Sequence, residues 1–221
     1  MLPILQLTMQ EIAIIGCALL AYLLGSTPTA VWYGLAYFGI DVRQHGSGNA
    51  GATNTFRVLG KRAGTAVMLI DVLKGWTATS LALILFYLQV IDLHSVIAYK
   101  ILFGMMAVVG HIFPIFAHFK GGKGVATLLG MLLSLHPEAA LLCIAVFLLV
   151  MITFRYVSLA SMLAALAFPL SMIFNLFGSE SPLTIIFGFV FFLVIVITHQ
   201  KNIGRLLKGT ESRTYLFGKK K

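Results

Sequence analysis

Long apolar stretches separated by short polar segments make up most of the chain. The stretches run at roughly 12–38, 64–91, 96–117, 125–153, 157–178 and 182–198. A helix needs about 20 residues to cross the hydrocarbon core of a bilayer. The pattern therefore predicts an all-α, polytopic integral membrane protein.

The fourth stretch contains a turn signal, Ser134-Leu-His-Pro-Glu138. Proline disfavours continuation of a helix, so this stretch is either one bent helix or two short ones, at about 125–135 and 138–153.

The distribution of charge favours two helices there. Basic residues cluster at 43–62, at 120–123, at Arg155 and at 201–221, whereas Asp92, Glu138 and Glu180 occupy turns whose one basic residue is Lys100. Lysine and arginine prefer cytoplasmic loops. Seven spans with the N-terminus outside and the C-terminus cytoplasmic put every basic cluster inside; six do not. The span at 125–135 is then short, about 16 Å at 1.5 Å per residue. The final Lys219–Lys221 is expected to anchor this topology at the lipid surface.

Composition agrees with this class of protein. The chain is 59% hydrophobic and 10% charged, its mean hydropathy is +0.97, and its formal net charge is +9. We expect one membrane domain over 1–221, with anionic lipid or substrate as partner and no nucleic acid. Cys17 and Cys143 lie in apolar stretches and are expected to be free thiols. The N-terminus lacks the basic region of a cleavable signal.

The segment His118–Thr127, with the sequence HFKGGKGVAT, joins two apolar stretches. Consecutive glycines allow backbone N–H groups to converge as an anion-binding nest, and the following helix directs its positive end to the same place. Lys120, Gly121, Gly122, Lys123 and Gly124 are therefore candidates to bind a phosphate. The segment lacks the spacing of a Walker A loop. The alternative is a glycine-rich hairpin turn.

The first polar segment is the longest. Gly25-Ser-Thr-Pro28 interrupts the first stretch, and Gly46, Gly48 and Gly51 match G-x-G-x-x-G without the βαβ unit of a dinucleotide site. Candidate donors to an oxyanion in and before this segment are Ser26, Arg43, Ser47, Asn49, Thr53 and Asn54. The alternative is a polar loop in which these side chains cap helices.

Ionisable residues also occur inside apolar stretches. Asp71 and Lys74 are spaced i, i+3 and can share a helix face, so they either act in function or neutralise each other. His111 near the end of the third stretch is either functional or a packed histidine.

The last third of the chain carries a further group of polar residues. Ser158 and Ser161 can cap the sixth helix or donate to a phosphate beside Arg155. His199, Asn202 and Arg205 follow one face if the seventh helix continues; the alternative is a solvated helix end. Glu211 is expected to pair with an arginine of another loop. We find no metal-ligand cluster, no cofactor motif and no assignable Ser-His-Asp triad.

Together these segments resemble the PlsY family of bacterial acyl-phosphate-dependent glycerol-3-phosphate acyltransferases over nearly the whole chain. The resemblance is carried by Gly25-Ser-x-Pro28, Asp41-x-Arg-x-x-Gly-Ser-Gly-Asn-x-Gly-Ala-Thr-Asn54, Asp71-x-x-Lys-Gly75, Gly110-His-x-Phe-Pro114, Phe119-Lys-Gly-Gly-Lys-Gly-Val-Ala-Thr127, Ser158-Leu-x-Ser161 and His199-x-x-Asn-Ile-x-Arg-Leu-x-x-Gly-Thr-Glu211.

The resemblance implies transfer of a fatty acyl group from acyl phosphate to the sn-1 hydroxyl of glycerol 3-phosphate, without a cofactor, as the first acylation of phospholipid synthesis. It implies catalytic roles for Arg43, Ser47, His199 and Asn202, phosphate binding by the glycine segment, and a structural role for Glu211, to which we add Asp71 and Lys74. It further implies a multi-pass protein of the bacterial inner membrane with a cytoplasmic active site, coupled to the enzyme that makes acyl phosphate.

The chemistry of such a reaction fits the residues. An acyl phosphate has a good leaving group and needs no protein nucleophile, while two anionic substrates need several cations, which Arg43, Arg57, Lys120, Lys123, Arg155 and Arg205 can supply. The proton acceptor is either His199 or a substrate phosphate oxygen. A transporter of a phosphorylated metabolite is the competing class, but it predicts inverted repeats that the sequence lacks. A membrane scaffold leaves the glycine segments unexplained.

Overall fold

The fold is built from α-helices, as the hydropathy pattern predicts. The computed structural model of the chain describes residues 8–178 and 181–214, so Glu180 and the Lys219–Lys221 tail lie outside the described residues. The helices are α1 (Met9–Ser26), α2 (Thr29–Phe38), α3 (Ala52–Leu59), α4 (Lys61–Tyr87), α5 (Val96–Ile112), α6 (Val125–Leu135), α7 (Pro137–Phe154), α8 (Val157–Ile173), α9 (Pro182–Thr198) and α10 (Gln200–Leu207). They form two compact units, Met1–Leu135 and His136–Lys221.

The first predicted stretch is broken at the expected place. Helix α1 starts at a capping box in which Thr8 and Glu11 bond each other's backbone, and it ends at Ser26. Pro28 has no N–H to continue the helical ladder, so α2 begins separately at Thr29. The stretch at 96–117 is likewise shorter as a helix, because Pro114 disfavours helical conformation at the preceding Phe113 and α5 ends at Ile112.

Glycines set the spacing of the helices in the first unit. A Cβ on Gly25 would collide with the Ala107 carbonyl of α5, and one on Gly75 of α4 would collide with the Thr127 carbonyl of α6. Gly110 and Gly130 make reciprocal contacts, with the Tyr22 and Val72 carbonyls. The helix pairs α1–α5 and α4–α6 therefore approach backbone to backbone, a packing mode favoured between membrane helices.

The second unit starts at the predicted turn. Helices α6 and α7 are separate, so the two-helix alternative is the one the structure adopts. His136 accepts the N–H of Ala139 at the start of α7, and Pro137 occupies the first turn, where no donor is needed. Helix α8 packs on α9 through edge-to-face contacts of Phe168 with Phe187 and Phe191.

Four of the described helices are long and apolar enough to cross a bilayer: α1, α4, α5 with its flanking turns, and α7. Helices α6 and α8 are shorter apolar helices, and α9 continues into α10 only through a 65° bend. These seven apolar helices correspond to the seven predicted spans, while the number of complete crossings and the side on which each end lies stay predictions.

Candidate active site

Arg43 is held by its neighbour Asp41 in the first polar segment. The Asp41 carboxylate accepts from Arg43 Nη2 at 2.7 Å and from Nε at 3.0 and 3.1 Å, while Nη1 donates to the Ala117 carbonyl at 3.3 Å. The hydrogen bond from Arg43 is the main reason why the pKa of Asp41 lies below its usual range. Arg43 thus joins this segment to Ala117, the residue that directly precedes His118–Thr127, the glycine–lysine segment. Asp41 was not among the site residues predicted from the sequence.

Asn54 supports this segment from within. It is 1% exposed, its Oδ1 accepts the Ser47 N–H at 2.8 Å, and its Nδ2 donates to the Val42 and His45 carbonyls at 2.7 and 3.0 Å. Its side chain is therefore occupied in bracing the segment, while Ser47 itself is exposed. The capping alternative is wrong at α3, because Gly51 occupies the N-cap and no side chain caps the helix.

The glycine–lysine segment differs from the predicted nest. The N–H groups of Gly121 and Gly122 donate to the Ile112 and His111 carbonyls at the end of α5, at 3.2 and 3.1 Å. These two donors are therefore not directed at an anion, and the nest expectation is wrong for them. Glycine is required instead for close approach, because a Cβ on Gly122 would collide with Nε2 of His111.

Three other features keep this segment a candidate phosphate site. The first intrahelical bond of α6 runs from Leu128 N–H to Gly124 O, so the preceding N–H groups form a positive helix end. Lys120 is exposed and Lys123 half-buried beside it. His118 and Phe119 both adopt positive φ, 55° and 57°, a conformation that costs non-glycine residues energy and concentrates at functional sites.

Buried polar residues lie close to this segment. Asp71 and Lys74 share a face as predicted and form an ion pair at 3.0 Å, with His111 Nδ1 3.8 Å from the same carboxylate oxygen. Ser26, a predicted phosphate ligand, is fully buried, and its hydroxyl has no hydrogen-bond partner; the same holds for Thr127. Arg57 is exposed on α3.

In the second unit, Glu211 gathers three predicted residues. Its Oε1 accepts from Ser158 Oγ at 2.8 Å and Asn202 Nδ2 at 2.6 Å, and its Oε2 accepts from Arg205 Nε at 2.6 Å. Burial raises the pKa of Glu211, but the three hydrogen bonds outweigh it and the pKa lies below its usual range. One arginine partner of Glu211 thus comes from the adjacent α10.

The structure contradicts two further predictions for the second unit. Ser158 and Ser161 do not cap α8: Ser158 donates to Glu211, and Ser161 donates to the Val157 carbonyl within the helix. The seventh helix does not continue straight, because α9 ends at Thr198 and bends by 65° into α10. Arg155 is exposed in left-handed conformation between α7 and α8.

His199 lies at that bend and is 3% exposed. Its Nδ1 is 2.8 Å from the Ile195 carbonyl. Because a carbonyl only accepts, Nδ1 carries the proton, and in neutral histidine Nε2 carries the lone pair. The geometry therefore fixes the tautomer that a general base working through Nε2 requires.

These observations define a class: a helical membrane protein in which each unit carries polar segments with a buried carboxylate and a cation paired to it. A family model described as glycerol-3-phosphate acyltransferase matches residues 15–209. The chain therefore belongs to the glycerol-3-phosphate acyltransferase (PlsY) family of integral membrane proteins.

Individual relatives agree over nearly full length. The glycerol-3-phosphate acyltransferase of Chlorobium limicola is 46% identical, covering 90% of this chain and 95% of its own. That of Salinibacter ruber is 42% identical, with 90% and 91% covered. A crystal structure of PlsY (YgiH), in its glycerol 3-phosphate form, has a TM-score of 0.79 and 35% identity and covers 91% of this chain and 96% of that one. The crystal structure of PlsY in its lysophosphatidic acid form has a TM-score of 0.78.

Proposed function

We propose that the protein transfers a fatty acyl group from acyl phosphate to the sn-1 hydroxyl of glycerol 3-phosphate, giving lysophosphatidic acid and inorganic phosphate. Acylation of glycerol 3-phosphate is the activity of the family to which the chain belongs. The identity of the donor and the choice of hydroxyl are our own extension. The observation that supports it is that cationic groups suited to bind phosphate occur beside apolar helices: Arg43, Lys120, Lys123 and the start of α6.

The proposed reaction needs no protein nucleophile. The hydroxyl oxygen of glycerol 3-phosphate attacks the acyl carbonyl carbon, an ester bond forms, and the bond between that carbon and the phosphate oxygen breaks. Phosphate leaves with the electron pair of that bond. The proton of the hydroxyl passes to a phosphate oxygen of a substrate or to His199 Nε2. Fixed cations stabilise the charge that moves onto the leaving phosphate.

Each predicted residue receives a role consistent with its contacts. Arg43, aligned by Asp41, binds a phosphate through its planar fork, and Ser47 donates from the exposed turn beside Asn49. Gly124 and the two lysines serve the phosphate at the α6 end, and Gly121 and Gly122 place that end against α5. Asn54 acts as a brace for the loop.

In the second unit the proposed roles follow the same logic. His199 is the catalytic candidate, and Asn202 is oriented by its bond to Glu211. Arg205 and Ser158, predicted as phosphate ligands, are bound to the same carboxylate, so we assign them to holding Glu211 in place.

The proposed location follows from charge and chemistry. Basic segments favour the cytoplasmic face of the bacterial inner membrane, with seven spans and the N-terminus outside. Lipid accommodates the acyl chain and the cytoplasm supplies glycerol 3-phosphate. An acyl phosphate is labile and partly membrane-bound, so transfer from the enzyme that makes it is the proposed coupling.

The donor assay tests the proposal. Purified protein in detergent should form lysophosphatidic acid from labelled glycerol 3-phosphate and palmitoyl phosphate, with no cofactor and with chelator present. Palmitoyl-CoA and palmitoyl thioester of acyl carrier protein should give no product. Turnover with palmitoyl-CoA alone would overturn the donor assignment. In the same assay, His199→Gln should keep part of the rate if a substrate phosphate takes the proton, and almost none if His199 does.

A further inference from the structure

A buried ion pair fastens the break between α1 and α2. Lys74 Nζ is 3.0 Å from Asp71 Oδ1 and donates to the Thr27 carbonyl at 3.0 Å, while Thr29 Oγ1 donates to Asp71 Oδ1 at 2.9 Å. The side chains of Asp71 and Lys74 are 2% and 7% exposed. A broken membrane helix leaves carbonyls outside the helical ladder, and here the Thr27 carbonyl accepts from Lys74 in addition to the Thr29 N–H at 2.9 Å.

The same carboxylate is linked to the glycine–lysine segment through one histidine. His111 Nδ1 is 3.8 Å from Asp71 Oδ1, and the His111 ring lies against Cα of Gly122 so closely that no side chain fits between them. The His111 carbonyl also accepts the Gly122 N–H at 3.1 Å. A shift of Asp71 or His111 is therefore transmitted to the middle of this segment.

These groups border a narrow cleft of about 10 Å³, close to the volume that one water molecule requires. Its walls include Thr27, Thr29, Lys74, His111, Gly121 and Gly122. The ammonium group of Lys74 has three donors, of which the Asp71 carboxylate and the Thr27 carbonyl use two. The cation of the ion pair thus lines a cleft that the glycine–lysine segment also borders.

We propose that Asp71 and Lys74 are positioning residues for glycerol 3-phosphate: through His111 and Thr27 they set where the glycine–lysine segment and the α1–α2 break lie around the cleft. The inference rests on the proposed function for its ligand. A well-packed apolar pair would hold α4 in place about as well as a buried ion pair does. Directed bonds to Thr27 and Thr29 are what the ion pair adds, with His111 Nδ1 3.8 Å from the carboxylate, and their effect is to orient groups at the cleft.

The test compares removal of one partner with removal of both. Lys74→Met or Asp71→Asn alone leaves an uncompensated polar or charged group inside the bilayer and should lower the yield of folded protein. The double variant Asp71→Asn/Lys74→Met has no net charge there and should recover yield and thermal midpoint. Its Kd for glycerol 3-phosphate, measured by calorimetry, should nevertheless rise on the order of tenfold. KM should rise with it, while kcat at saturation stays within about threefold, because placement of the ligand is lost and the chemical groups remain.

Lys100→Met is the matched control. Lys100 is a half-buried lysine on α5 of the same unit, and like Lys74 it donates to a backbone carbonyl, that of Ser134 at 2.7 Å, but it does not line the cleft. Its Kd should equal that of the unchanged protein. A second variant, Thr29→Val, removes one bond to Asp71 without leaving a charge and should raise Kd by about two- to threefold.

The outcomes separate the two proposals. If the unchanged protein binds and acylates glycerol 3-phosphate and the folded double variant has the same Kd, the ion pair only supports folding and the positioning role is overturned. Should the double variant not fold, an unchanged Kd in Thr29→Val overturns it equally. Absence of glycerol 3-phosphate binding in the unchanged protein would defeat the proposed function and, with it, this inference.

Discussion

Two carboxylates in the described part of the chain, Asp71 and Glu211, have side chains only 2% and 8% exposed, and they meet the cost of burial in different settings. Asp71 lies within a long apolar helix and has its cation one turn away on that helix, so the charge is paired as soon as α4 forms. Glu211 lies in an irregular segment after α10 and gathers partners six, nine and 53 residues away. Asp71 is thus paired within its own helix, whereas Glu211 takes its cation from the preceding helix and one of its hydrogen bonds from Ser158, 53 residues away.

The largest expected difference between these clusters is in stability. Asp71→Asn leaves Lys74 unpaired where water cannot reach, and should cost about 3–5 kcal/mol. Glu211→Gln keeps an acceptor for Asn202 and leaves Arg205 partly solvated, so it should cost about 1–3 kcal/mol. Thermal unfolding of both variants in one detergent measures this. Equal losses would mean that burial in the helix does not distinguish the two carboxylates.

Acid should act on the Glu211 cluster. The folded-state pKa of Glu211 is depressed, so its stabilising contribution is complete above the unfolded pKa of about 4.3 and is lost as the pH falls through the lower folded value. The thermal midpoint of the unchanged protein should therefore decrease below about pH 4.3. Glu211→Gln should decrease less steeply over that window, and identical slopes for the two proteins would contradict the assignment.

The smallest effects should come from two matched hydroxyls. Thr29 donates to Asp71 at 2.9 Å and Ser158 donates to Glu211 at 2.8 Å. Thr29→Val and Ser158→Ala should each destabilise by roughly 0.5–1.5 kcal/mol. The Thr29→Val loss should be the larger, because Asp71 is more completely removed from water. Denaturation of the two variants side by side checks the order. A larger loss for Ser158→Ala would mean that the hydrogen bond to Glu211 contributes more stability than the one to Asp71.

Residue spacing predicted the features that depend on local sequence. The apolar stretches, the break at Pro28, the turn at Pro137 and the i, i+3 pairing of Asp71 with Lys74 all follow from propensity or helix geometry. What the spacing did not predict was long-range. The neighbouring residues in the sequence do not predict that the Gly121 and Gly122 N–H groups donate to carbonyls at the end of α5. They also do not predict that His111 lies between Asp71 and Gly122.

Other differences have the same origin. Asn54 is polar and lies in a loop, which fits a ligand as well as a brace, and only the fold reveals that its amide is occupied by backbone groups. The three partners of Glu211 were each predicted as site residues, but the sequence does not indicate that Ser158 lies close to Glu211 in the fold. Asp41 lies two residues before Arg43 in the same motif, and this spacing could have identified it as the partner of Arg43.

The glycine contacts in the first unit have a consequence for the register of the helices. Gly25 and Gly110 meet the backbone of the partner helix from opposite sides of the α1–α5 pair, as Gly75 and Gly130 do for α4–α6. Insertion of one residue within α5 between Ala107 and Gly110 would turn Gly110 by about 100° and advance it by about 1.5 Å, bringing a side chain to the contact in its place. Because these contacts are between backbone atoms, a change of side-chain rotamer cannot relieve the clash. The tolerance of this unit for insertions should therefore be confined to its connecting segments.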